Sequence, residues 1–324
     1  MIIDVVITWV NTNDYKWQKT YEKNTGNVFV KSDRYTTGSD AEAELKMCLY
    51  CVRKHMKWVN KTYIVTMDGQ TPSCLKNEIV IHHSEIDLNP VFNSHAIETS
   101  LHKIPGLAEN FIYLNDDFYV IKPVSKLHFF NAQGIPIVRI GDKFRMMTGI
   151  LADKKYIAMM NDISQKLGFK TGIALEHVPH GLTKTIMRNA EKKFEKKWLS
   201  TVNCMIRHQC DDEIAPIFAS LLLALKRKQA TIIEQVQLNY LFLPLEVFEI
   251  TSYRPHVVCI NAYSGSYKLL RKTLIRKSQS FFLKIVIILI CFFSIRLIIA
   301  CIIDCKHFMQ KSHILSCATS KDHS

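Results

Sequence analysis

The chain has 324 residues, enough for one large or two modest domains around a sizeable core. Hydrophobic residues make up 48% and charged residues 22%, with only 11 Gly and 9 Pro, which excludes disorder as the main state and excludes collagen-like or linker-rich chains. The formal charge of +13 is regional: residues 1–145 hold 17 Lys+Arg against 16 Asp+Glu and residues 146–324 hold 25 against 13, a balance that suits phosphate-bearing partners, although no aromatic-interleaved stripe points to nucleic acid.

In chain order, the β-branched run Ile2 to Trp9 predicts the first strand. It follows Met1 directly, without the basic segment and cleavable apolar core of a secretory signal. Asp40 to Lys57 predicts a helix, with Leu45, Cys48, Leu49 and Val52 on one face. Thr62 to Thr66 and Glu78 to Ile81 predict short strands, Asp68-Gly69 turning the chain after the first. Asn93 to Lys103 predicts a helix capped at Asn93 or Ser94, and Phe111 to Leu114 a further strand. Strand and helix in alternation imply an α/β fold with a Rossmann-like, mostly parallel sheet over residues 1–145. Residues 146–270 read as helix-rich additions, with Asp211–Lys228 and Ala230–Leu243 helical by apolar spacing and Glu191–Lys197 a solvated helix face.

Residues 281–303 (FFLKIVIILICFFSIRLIIACII) have about the length that spans a bilayer core, with Lys284 and Arg296 their only charges. The expectation is a hydrophobic C-terminal helix that crosses or lies against a membrane, followed by a tail at 304–324; a buried helix is the competing reading. Arg271, Lys272, Arg276 and Lys277 precede it, which by the positive-inside rule places the larger part on the cytoplasmic side, a lumenal site staying open. Of the ten cysteines, Cys48 and Cys51 make a CxxC that could be redox-active or half a zinc site, but no second CxxC follows. Cys48 and Cys51 read as buried free thiols, and Cys204 and Cys210 as packing residues.

A parallel sheet binds ligands at the carboxyl ends of its strands, which gives the polar strand tips one shared rim. These tips are Trp9-Val10-Asn11, Asp68-Gly69-Gln70, His82-His83 and Asn115-Asp116-Asp117. Adjacent carboxylates at a strand end suit Mg²⁺ or Mn²⁺, although an isolated Asn-Asp-Asp triplet also occurs in ordinary turns. There is no GxGxxG and no Walker loop, so dinucleotide and P-loop NTPase chemistry lose their usual fingerprints.

In combination the tips are more specific. IDVVITWVNTND (3–14) resembles the opening motif of the Stealth family, IDVVYTWVDGSD. WVNKTYIVTMDGQTPSCL (58–75), HSEI (83–86) and FNSHAIETSLHKIPGLAENFIYLNDDFYVIKPV (92–124) resemble its second block. His177-Val178-Pro179-His180 and Arg207-His208-Gln209 with Asp211 to Pro216 resemble its third, and Val258 to Asn261 the start of its fourth.

The resemblance implies a transferase that moves a hexose-1-phosphate, such as N-acetylglucosamine-1-phosphate, from a UDP-sugar to a hydroxyl of a glycan or glycoprotein acceptor, with UMP leaving. The core 1–145 would bind the nucleotide sugar and 146–270 complete the active site. By correspondence, Asp116, Asp117 and Asn261 are the candidate metal ligands. Asp117, His177, Arg207, Glu98 and His95 are the candidate catalytic groups: His177 as base or phosphoryl contact, Arg207 as a bidentate phosphate fork. Trp9, Val10, Asn11, Asp14, Asp68, Gly69, Asn93 and Ser94 are the candidate donor-binding residues. Without the motif context His95 and His177 read as structural histidines. Two departures bear on activity: Glu42-Ala43-Glu44-Leu45-Lys46 replaces the usual acidic-polar opening of the second block, and Ala262 stands where the fourth block has Asp. A UDP-sugar glycosyltransferase and an inactive glycan- or nucleotide-binding homologue are the alternatives.

Overall fold

A computed structural model describes residues 1–30, 41–141, 154–232, 240–243 and 256–260. All of these fall within one compact unit, Met1–Tyr263. Segments 281–303 and 304–324, together with Asn261 and Ala262, lie outside the described residues. Among the described residues, no helix is long and apolar enough to cross a membrane.

The centre is a five-stranded sheet built on β1 (Ile3–Thr8), whose apolar residues Ile3, Val5, Val6 and Ile7 are fully buried. A strand covered on both faces reads as a continuous apolar run rather than an alternating one. In chain order follow α1 (Tyr15–Thr25), α2 (Ala43–His55), β2 (Thr62–Thr66), β3 (Ile79–His82), the short α3 (Ser94–Thr99) and β4 (Asn110–Asn115). Next come β5 (Phe118–Val120), β6 (Ile140–Gly141), α4 (Lys154–Lys166), β7 (Ala174–Leu175) and β8 (His180–Thr183). The helices α5 (Lys184–Lys193), α6 (Glu195–Val202) and α7 (Pro216–Lys226) precede β9 (Tyr240–Leu243) and β10 (Val257–Ile260).

The strand order is β3-β2-β1-β4-β8. The first four strands run parallel, and β8 closes the edge antiparallel to β4. Strand order therefore reverses between β1 and β4, and such a switch point opens a crevice at the carboxyl edge. At the opposite edge, Asp4 fastens the strand entries. Its Oδ1 accepts from Asn60 Nδ2 (2.8 Å) and the Lys61 N–H (3.0 Å), and its Oδ2 from the Ala108 N–H (2.7 Å). These donors offset the desolvation of a fully buried carboxylate.

Helix α2 buries Leu45, Met47, Cys48, Leu49, Cys51 and Val52, and Arg53 at its C-terminal end forks onto Glu78 (2.8 and 2.7 Å) ahead of β3. Helix α7 is buried nearly all round and begins at Pro216, where the missing N–H costs nothing. It packs in one core with Trp198, Ile186, Leu182 and Phe111.

Two expectations are corrected. The single helix over Asn93–Lys103 is two pieces, because α3 stops at Ser100 and a 3₁₀ turn follows at Leu101–Lys103. The helix over Ala230–Leu243 does not hold at its end, where Tyr240–Leu243 is a strand pairing parallel with β10. A short apolar run reads equally as either element until its partner is known. The strand β10 also pairs antiparallel with β5, setting Cys259 opposite Phe118.

Candidate active site

The crevice between β1 and β4 is lined by hydroxyl, amide and carboxyl groups. Thr8 and Asn115 are register partners at the strand ends. The Tyr113 hydroxyl lies 2.9 Å from Asn115 Oδ1 and 3.3 Å from both Glu98 Oε1 and Thr8 Oγ1. One hydroxyl proton cannot serve Asn115 and an ionised Glu98 together, so a protonated Glu98 fits this network. Burial pushes the Glu98 carboxyl up to about 7, while the Arg207 cation and the Tyr113 hydroxyl pull the other way.

Asp116 and Asp117 follow β4 in the turn to β5, half-buried at the rim. Asp117 Oδ2 accepts from the Cys259 thiol at 3.4 Å. Its Oδ1 is buried and has no hydrogen-bond partner among the described residues. Burial, then the charge of Asp117, pushes Asp116 up to about 8. Burial pushes Asp117 to about 6 against the thiol's hydrogen bond. Two adjacent carboxyl groups whose ionisation burial opposes, one with an orphaned oxygen, fit a hard divalent cation, which favours the charged form.

Arg207 approaches from the loop between α6 and α7. Its Nη1 lies 3.5 Å from Ser94 Oγ and its guanidinium 5.5 Å from the centre of the Tyr156 ring. Its Nε is buried without a hydrogen-bond partner among the described residues, a donor left for an anion. The loop is fixed by a bridge between Phe92 and Ile206, by the Phe92 N–H on Met205 O (2.9 Å), and by a disulfide between Cys204 and Cys210. The disulfide corrects the expectation that these two cysteines only pack: a separation of six lets a tight loop bring them together, which metal-type spacing does not test. Cys48 and Cys51 are free and buried, as expected.

His177 sits between β7 and β8 with its ring 4.9 Å from that of Phe118, the residue after Asp117. Burial, then the Arg207 charge, pushes His177 down to about 4, and the neighbouring His180 falls to about 3. His95 is 3% exposed and hydrogen-bonds Glu213 through Nδ1 at 2.9 Å. Burial pushes it down to about 4 although Glu213 pulls upward. Asn93 caps α3 through the His95 N–H (3.0 Å) and donates to Glu213 Oε1 (2.9 Å). Asp117, Glu98, Arg207 and His177 thus form one neighbourhood, joined through Tyr113, Phe118 and the Arg207 charge.

The remaining candidates occupy the neighbouring tips in roles that shape the rim. Trp9 is 6% exposed and donates through Nε1 to Ala41 O at 3.3 Å, so its ring is largely core. Val10 packs toward Trp17 and Phe92. The Asn11 backbone is read in both directions by Gln70, whose Oε1 accepts its N–H (3.0 Å) and whose Nε2 donates to its carbonyl (2.9 Å) and to Asp14 Oδ2 (3.2 Å). Asp14 also caps α1 through the Lys16 N–H. Asp68 accepts from the backbone and hydroxyl of Ser84, and Gly69 turns the chain at φ 84°. The residues that sequence reasoning missed are Tyr113, Tyr156, Glu213 and Cys259. Each lies in or beside a quoted motif except Tyr156, for which no sequence signal exists.

Residues 39–138 match conserved region 2 of Stealth proteins. The chain is 31% identical over 290 residues to the capsular polysaccharide phosphotransferase fcs1 of Haemophilus influenzae, covering 82% of this chain and 79% of that one. It is 41% identical to LcbA of Neisseria meningitidis and 46% identical to LcbA of Aeromonas hydrophila, both capsular polysaccharide phosphotransferases. Those two alignments cover 44% and 41% of this chain but only 41% and 39% of the relatives. Among solved structures, the galactosyltransferase LgtC in complex with donor and acceptor sugar analogues superposes over 84% of this chain and 94% of its own at a TM-score of 0.42 and 12% identity, an overlap too loose to carry an argument. The chain belongs to the Stealth family and is a phosphotransferase enzyme.

Proposed function

We propose that this enzyme transfers a hexose-1-phosphate from a UDP-sugar to a hydroxyl of an acceptor glycan, forming a phosphodiester and releasing UMP. What supports the reading is that Arg207 acts electrostatically on both Glu98 and His177, while the His177 ring packs on Phe118, directly after the Asp116–Asp117 pair at the carboxyl edge of the sheet. Phosphoryl transfer asks mainly for positioning and charge neutralisation, and this set supplies both.

Asp116 and Asp117 would hold Mg²⁺ or Mn²⁺, with Asn261 as a further oxygen ligand. Bound there, the ion would neutralise charge on the donor diphosphate. Arg207 forks onto the phosphoryl oxygens, its buried Nε being a donor with no partner among the described residues. His177, neutral at working pH, takes the proton of the attacking hydroxyl; burial is the main cause of its lowered value, and a phosphate on Arg207 would offset the smaller one, the Arg207 charge. Glu98 holds the Tyr113–Asn115–Thr8 network at the crevice. The sugar C1–O bond stays intact, which separates this reaction from glycosyl transfer. The acceptor is a glycan chain, and segment 281–303 would keep the enzyme at a membrane with its site on the cytoplasmic side.

The test uses UDP-N-acetylglucosamine labelled in the phosphate next to the sugar, with Mg²⁺ and an acceptor glycan. Label in the polymer with UMP released supports the proposal. Label in UDP, or equal release by Asp117→Ala and His177→Ala variants, refutes it.

A further inference from the structure

We propose that His95, His208 and Glu213 form a second metal site, of the zinc class, separate from the carboxylate rim. The three residues come from α3, from the loop after α6 and from the segment leading into α7, and one ligating atom from each lies within 4.8 Å of the others. The rings of His95 and His208 meet edge to face with centres 5.5 Å apart. Two imidazoles and a carboxylate are a borderline-soft donor set that suits Zn²⁺, whereas the all-oxygen rim suits Mg²⁺ or Mn²⁺. Three protein ligands leave one position for water.

Two further observations favour a ligand over a chance cluster. Glu213, 2% exposed, is held at both oxygens: Oε1 accepts from Asn93 Nδ2 (2.9 Å), a residue outside the three, and Oε2 from the backbone N–H of His208 (2.6 Å). The Asn93 bond is of the outer kind that orients a metal-binding carboxylate. His208 sits in the left-handed region at φ 66°, which histidine adopts more readily than most residues with a Cβ, and its ring faces that of His95. The competing arrangement is a hydrogen-bonded clasp without metal, in which the His95–Glu213 contact of 2.9 Å is the whole interaction. A metal here would lock the residue next to Arg207 and so hold the phosphate-binding loop in place.

The test strips the full chain with EDTA and titrates it with Zn²⁺ and with Co²⁺, reading bound metal by mass spectrometry and cobalt by its visible absorption. Stoichiometric zinc is expected, weakened at least about 100-fold in His208→Ala and Glu213→Gln. Asp117→Asn, which disables the other site, should keep the zinc. Absence of stoichiometric zinc in the wild type overturns the proposal, as does equal binding by His208→Ala or a loss in Asp117→Asn matching that of His208→Ala. If Glu213→Gln does not fold, His208→Ala decides alone, provided its melting temperature in EDTA equals that of the wild type. A Glu213→Gln variant that loses stability equally with and without zinc also overturns it, because that is the signature of the clasp.

Discussion

Asp4 and Asp117 stand at opposite ends of the same sheet, and both are carboxylates beside strands that turn away from water. At the amino edge every oxygen of Asp4 has an N–H donor from a neighbouring strand entry. At the carboxyl edge Asp117 has one thiol, and its other oxygen is an orphan among the described residues. The first arrangement has its electrostatics settled within the fold and serves stability. The second leaves a half-buried group, one oxygen of it buried and unmet, whose charged form burial opposes until something cationic arrives, which is how a fold reserves binding energy for a ligand.

The sharpest way to break this comparison is to exchange the expected losses. Asp117→Ala should lower UMP release about 10³-fold, the scale of removing one electrostatic contact to a transition state, with the melting temperature held or raised. Asp4→Ala should do the reverse: about 3 kcal/mol of stability lost in urea unfolding, from buried N–H groups left without an acceptor, and activity per folded molecule retained. If Asp4→Ala were the more damaging to catalysis, the division between the two edges would be wrong.

The disulfide offers a smaller contrast. Replacing Cys210 by Ser should cost about 2 kcal/mol through the loop-closure entropy of a short loop, and should raise KM for the donor more than it lowers kcat, because Arg207 sits inside that loop. Arg207→Lys should keep stability within about 0.5 kcal/mol and raise KM for the donor about tenfold, since an ammonium cannot fork onto two oxygens.

The pH dependence of stability is the mildest test. Asp116 (about 8), Glu98 (about 7) and Asp117 (about 6) all lie above their unfolded values. The folded state therefore binds more protons than the unfolded one, and their contribution is fully present below about pH 4 and fades as pH rises toward 8. His177 and His95, pushed down to about 4, act oppositely and remove stability as pH falls below about 6.5. Asp116→Asn should flatten the alkaline decline in a urea series from pH 6 to pH 9; an unchanged slope would mean that Asp116 is already ionised and partnered.

Much of this fold was readable in advance where a β-branched run ended in a turn, as at Thr62–Thr66, whose bounds the structure reproduces. Helix α1 was not, because it buries only Trp17 and so leaves no apolar period to detect. The strand at Tyr240–Leu243 was misread because its identity depends on a partner, Val257–Ile260, that local pattern does not reveal. The site divides in the same way. Asp116 and Asp117 were reachable because strand ends of a parallel sheet share an edge, and Arg207 and His177 because their motifs resemble a family's. Glu213 lies in a quoted motif, but its role and the Cys204–Cys210 bond were out of reach, since each takes its meaning from residues it meets only in the folded chain.

The claim that the rim carboxylates await a cation is tested most directly by Mn²⁺ binding, followed by electron paramagnetic resonance, in the wild type, Asp117→Asn and Asp4→Asn. The account predicts saturable binding that strengthens with UDP-sugar, survives Asp4→Asn in the folded fraction and disappears in Asp117→Asn. Undiminished Mn²⁺ binding by Asp117→Asn would contradict it.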